Sequence, residues 1–136
     1  MSAFRFEGLT LTVDDVARSV AFYHGLLDLT VAVDAAPAFA LIRCGAKGGG
    51  TIGLLSLAEA LKAGGQPMTP AQKLGIHVEF STDDLNALYA ELVAKGVRFH
   101  EAPHDEPWER SMTALDPDGY SVEFAQGRRG DNRVAP

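Results

Sequence analysis

The chain has 136 residues, enough for one domain or two small halves sharing a core, and its 46% apolar and 22% charged residues are the proportions of a folded globular protein. A net charge of −6 argues against a nucleic-acid partner held through its phosphates, which calls for a basic face. Cys44 is the single cysteine, excluding an intrachain disulfide or a cysteine zinc cluster; no run reaches the length of a membrane span and MSAFRFEGLTLTVDD lacks a signal-peptide stretch, so a cytoplasmic chain without a membrane partner is expected.

From the N-terminus, EGLTLTVDD at 7–15 alternates with period two, as a half-buried strand does: Leu9, Leu11 and Val13 on one face, Gly8, Thr10 and Thr12 on the other. Asp14 or Asp15 can cap a helix by accepting a free backbone N–H, and Val16, Val20, Tyr23 and Leu27 then recur at helical spacing. Phe22 and Tyr23 read as core. Asp28 suits the helix stop, since Asp tolerates left-handed geometry. Three strand-like runs follow, LTVAVD, AFALIRC and GTIGLLSL, with the glycines at 48–50 predicting a hairpin turn. Residues 57–74 read as a partly helical connector broken at Gly64, Gly65 and Pro67.

The same unit then returns after a shift of 69. IHVEFSTDD at 76–84 sets Val78, Phe80 and Thr82 against Leu9, Leu11 and Val13, and Asp83 and Asp84 against Asp14 and Asp15. Its other face carries His77, Glu79 and Ser81. Leu85, Leu88, Tyr89 and Leu92 predict a helix that Gly96 terminates, and GVRFHE, WERSMTALD and YSVEFAQ predict three more strands. DPDG at 116–119 is a hairpin signal, with Pro early in the turn and Gly at its end. The tail at 127–136 lacks an apolar pattern and is expected to fray. The expectation is an α+β chain of two tandem βαβββ modules, at about 6–56 and 75–126, whose sheets curve into a cup lined by the Gly8 and His77 faces.

LTVDDVARSVAFYHGLLDL, HVEFSTDDLNALYAELVAKGV and ALDPDGYSVEF, in this order and spacing, resemble the vicinal oxygen chelate superfamily: glyoxalase I, extradiol dioxygenases, fosfomycin-resistance enzymes and bleomycin-resistance proteins. The resemblance covers residues 6–126 and implies a single domain with a cup-shaped mixed sheet, often completed across a homodimer. It also implies where a divalent metal would be held, by residues of the first and last strands of each module. Carried over, these positions are His77 and Glu123 in the second module but Gly8 and Gly53 in the first. Catalytic sites generally use three or more protein ligands, so the constellation is incomplete. Glu79 is the nearest candidate for a further donor.

Three roles stay open for His77 and Glu123: leftover ligands, a hydrogen-bonded pair orienting a substrate, or an acid/base pair. A polar pair that only closes the cup is a fourth. Gly8 and Gly53 would widen the cavity and let a bulky ligand approach the backbone, unless neighbouring side chains fill the space. Trp108 and Arg110 are expected to alternate onto one strand face, where an aromatic plane and a guanidinium suit an anionic or aromatic ligand. The expected ligand-binding set is thus Gly8, Thr10, Gly53, His77, Glu79, Trp108, Arg110 and Glu123. The expected function is binding of a small hydrophobic or aromatic organic molecule, with no cofactor. The alternative is a metal-dependent lyase, isomerase or dioxygenase using His77 and Glu123, so whether the chain is an enzyme stays open. Cys44 lacks an activating neighbour in sequence and reads as an inert thiol.

Overall fold

A computed structural model of the chain describes residues 3–45 and 49–127. The expected hairpin turn at 48–50 falls partly outside these residues, and the tail from position 128 onward lies outside them. The chain divides into two compact units, Met1–Pro67 and Met68–Pro136.

In the first unit, β1 (Gly8–Val13) leads into α1 (Val16–Val20), which continues as a π-helical segment, Ala21–Leu26. β2 (Thr30–Ala35), β3 (Phe39–Arg43), β4 (Thr51–Ser56) and α2 (Leu57–Lys62) complete it. The sheet order is β1-β4-β3-β2, with β1 and β4 parallel and the other pairs antiparallel. The caps follow the expected chemistry. The Asp15 carboxylate accepts from the Arg18 N–H at 3.1 Å, and Asp28 ends the helical run at φ 61°, in the left-handed region. The π-helical segment was not foreseen. It sets the consecutive Phe22 and Tyr23 both into the core, with ring centroids 4.9 Å apart and nearly perpendicular.

The second unit repeats the plan: α3 (Pro70–Leu74), β5 (His77–Ser81), α4 (Leu85–Ala94), β6 (Phe99–Asp105), β7 (Arg110–Leu115) and β8 (Ser121–Gln126). Its order is β5-β8-β7-β6, with β5 and β8 parallel. Asp84 caps α4 through the Ala87 N–H, as Asp15 caps α1, and Gly96 follows the helix at φ 90°. The fold class is therefore α+β, two tandem βαβββ modules, as expected.

Each sheet has one face under its helix and one open face. In the first unit α1 packs on β3 and β4, over Ala40, Ile42, Ile52 and Leu54. In the second, the covered face carries Val78, Met112, Ala114, Val122 and Phe124, with Phe80 stacked on Phe124 at 5.6 Å. α4 is tied to this face by Tyr89 against Phe99 and by the Gln126 side chain, which accepts the Leu85 N–H at 2.8 Å. Apolar burial on these faces supplies most of the stabilisation, about 1.5–3 kcal/mol for each large side chain. The open faces are left to do something else.

Candidate functional site

Strand register assigns the open-face residues. In the first unit Gly8 pairs with Thr51, Thr10 with Gly53 and Thr12 with Leu55, while Gly53 and Leu55 pair with Leu41 and Phe39. Val33 lies opposite Leu41 on β2 and is 45% exposed. This face is apolar and hydroxyl-bearing; none of these positions is a histidine, cysteine or carboxylate.

The two glycines do not widen it as expected. A Cβ on Gly8 would fall onto the carbonyl oxygen and side chain of Thr51, so the backbone itself closes that position. A Cβ on Gly53 would stand 2.8 Å from the Thr10 hydroxyl and 3.2 Å from the Phe39 ring. Neighbouring side chains therefore already fill the volume above Gly53. Neither position has room for a ligating side chain without movement of its surroundings.

In the second unit the open face is polar. Glu79 of β5 is in register with Glu123 of β8, Glu123 with Thr113 of β7, and Thr113 with Glu101 of β6. His77 stands at the edge, its Nδ1 3.4 Å from Glu123 Oε1, a long contact; its side chain is 46% exposed while that of Glu123 is 17%. Glu109, buried beside them, hydrogen-bonds the Glu123 carboxyl. Two carboxyl groups can hydrogen-bond only if one holds a proton. Burial accordingly pushes the Glu123 pKa up; the His77 contact opposes this, and Glu109 and the charge of Glu79 reinforce it. Thr113 donates to Glu101 at 3.3 Å. At the far edge His104 places Nδ1 2.9 Å from the Ala102 carbonyl and Nε2 3.1 Å from Glu106 Oε1.

Structure brings His77, Glu79 and Glu123 together on one face, and Gly8, Thr10 and Gly53 together on the open face of the other unit. It separates the remaining pair. β7 begins at Arg110, so Trp108 sits in the preceding bend, 56% exposed, and not on a strand shared with Arg110. Arg110 lies on the helix-covered face with Met112 and Ala114. Its guanidinium donates to Asn86 Oδ1 of α4 at 3.1 Å and to Asp105 at 3.3 Å. Glu101, Glu109 and Thr113 were missed. The signal for two of them was present in WERSMTALD, where Glu109, Ser111 and Thr113 alternate as a polar face.

A metal centre of the kind the resemblance implies does not fit the donors these faces offer. His77 and Glu123 are two, and the first-unit positions have no side chain. Among the described residues no group of three or more His, Cys, Asp or Glu is arranged to hold a metal ion. Cys44 is half-buried, its Sγ 3.9 Å from the Ile42 carbonyl, and burial raises its pKa, which leaves a poor nucleophile.

Comparison with known proteins agrees with this architecture. No curated protein matched the chain. Among solved structures, a hypothetical protein from S. aureus superposes with a TM-score of 0.73 at 15% identity, covering 91% of this chain and 95% of that one. A virulence protein from Salmonella typhimurium gives 0.71 at 22%, covering 92% and 98%. TnmS3, an antibiotic binding protein from Streptomyces sp. CB03234, gives 0.70 at 21%, covering 93% and 99%. At these identities the likeness speaks for the fold. The family model Glyoxalase/Bleomycin resistance protein/Dioxygenase superfamily matches residues 5–124, and the chain belongs to that superfamily.

Proposed function

We propose that the protein binds a small hydrophobic or aromatic organic molecule and does so without a catalytic metal. The observation that carries this reading is the open face of the first unit. Phe39, Leu41, Leu55 and Val33 offer apolar contact there, and neither Gly8 nor Gly53 leaves space for a metal-ligating side chain. Apolar burial on this face would drive association. An antibiotic binding protein among its structural relatives supports the same class of function. A homodimer in the cytoplasm, with the small molecule as its other partner, completes the reading. The dimer is checked by light scattering of the purified protein.

The experiment is a thermal-shift screen of aromatic compounds against wild-type protein and Leu41→Glu, each with and without EDTA. Ligand stabilisation should survive chelation and be lost in Leu41→Glu, provided circular dichroism shows that variant folded. Stabilisation that needs added metal would reject the reading. The competing reading, a metal-dependent lyase, isomerase or dioxygenase, draws on His77 and Glu123 occupying the family's ligand strands. It requires a third donor from outside this pair and would show as metal lost in His77→Ala.

A further inference from the structure

The second unit begins with a strap, residues 68–76, that crosses its surface before entering β5. Within it α3 buries none of its residues. The capping box between Thr69 and Gln72 holds the shape of the first turn but not its position on the unit. Position comes from Tyr120 and Ser121, where β8 begins. The Ser121 hydroxyl donates to the Leu74 carbonyl at 3.0 Å, and the Ser121 N–H donates to the Ile76 carbonyl at 3.2 Å. The Lys73 ammonium stands 5.6 Å from the centre of the Tyr120 ring, and the Tyr120 hydroxyl donates to Met68 Sδ at 3.8 Å.

That last contact joins unlike groups. Tyr120 is fully buried, whereas Met68 is half-buried and open to small solutes. Met112, on the covered face of the same sheet, is fully buried and shielded from them. A thioether is a weak acceptor and packs as an apolar group, so Met68 suits the cover of a buried ring. Its oxidation would reverse that character. A sulfur lone pair attacks one oxygen of hydrogen peroxide, and the S–O bond forms as the O–O bond breaks. The departing hydroxide takes the proton of the transferred oxygen and leaves as water; the sulfur is oxidised by two electrons and the peroxide reduced by two. The product is a polar, chiral sulfoxide, whose oxygen is hydrated better by water than by one hydroxyl beside a buried ring.

We propose that Met68 is a reversible oxidation site and that its sulfoxide releases the 68–76 strap from Tyr120. The strap carries little burial of its own to oppose release, since α3 contributes no buried side chain. The proposal stands apart from the small-molecule reading, and either can fail alone.

Peptide mass mapping after hydrogen peroxide treatment, with free methionine in the same tube as reference, measures the site; hydrogen exchange measures the strap. Met68 should gain one oxygen while Met112 stays unmodified, and exchange across 68–76 should quicken about ten-fold with β3 and β4 of the first unit unchanged. A methionine sulfoxide reductase supplied with a dithiol should reverse both changes. Met68→Leu, similar in volume and without sulfur, should exchange like unoxidised protein and ignore peroxide. Cys44 and Met1 remain in that variant, so quickening by peroxide in Met68→Leu would assign the effect to another residue and overturn the proposal. Met68 left unmodified at a dose that oxidises the free methionine would also overturn it. So would unchanged exchange in fully oxidised protein, or equal quickening throughout both units.

Discussion

The two units share one chain plan and differ on the face their helices leave open. In the first, that face is apolar: Phe39, Leu41, Leu55 and Val33 around two glycines and two threonines. In the second, the corresponding face carries Glu79, Glu101 and Glu123 between two histidines, with Glu109 from just before β7 against Glu123. The covered faces stay alike, because burial under a helix permits little but well-packed apolar residues. Duplicated architecture thus conserves its core and lets the open faces take opposite chemistries, one suited to burying a ring and the other to holding a polar group.

The largest expected effect tests whether the units can be made equivalent. Gly8→His would restore the echo of His77, but its Cβ meets the Thr51 backbone. We expect destabilisation of about 3 kcal/mol or more by urea denaturation. A variant as stable as wild type would show that the first unit tolerates a ligand there. Gly53→Ala should cost less, about 1 kcal/mol, since the Thr10 side chain can turn away and only the Phe39 ring must yield.

A smaller effect separates the carboxylate face by pH. The folded state holds the Glu123 proton more tightly than the unfolded chain does. Stability is therefore greatest below the unfolded carboxyl pKa and falls as pH rises through the raised folded value. Glu123→Gln should flatten that fall in melting temperature between acidic and neutral pH; an unchanged profile would remove Glu123 as its source.

The smallest concerns the opposite edge. Both His104 ring nitrogens face acceptors, so only the imidazolium can donate to Ala102 and Glu106 together. Its pKa is raised, chiefly by the Ala102 carbonyl, and its stabilisation is complete below the unfolded histidine value and lost as pH rises through the folded one. An NMR titration should place its midpoint above the usual histidine value, and His104→Ala should cost less than about 1 kcal/mol, as for other partly exposed pairs.

Much of this was legible in the sequence, for physical reasons that can be named. Period-two alternation and the Asp caps spaced by 69 gave the strands, helices and repeat. The open face of β5 followed from the parity of His77, Glu79 and Ser81. Parity also speaks against grouping Arg110 with the open face, because Arg110 shares it with the core residues Met112 and Ala114. Glu101 was hidden because β6 is irregular, with register shifts on both sides of that residue, so counting by two fails there. The filling of Gly53 by Phe39 and Thr10 is a contact across three strands, which no local pattern encodes.

The central claim is that the apolar open face of the first unit binds an organic molecule without a catalytic metal. Its most direct test is the metal content of protein purified without chelator, compared with His77→Ala. The account predicts well under one equivalent of any divalent metal in both; stoichiometric metal that disappears in His77→Ala would contradict it.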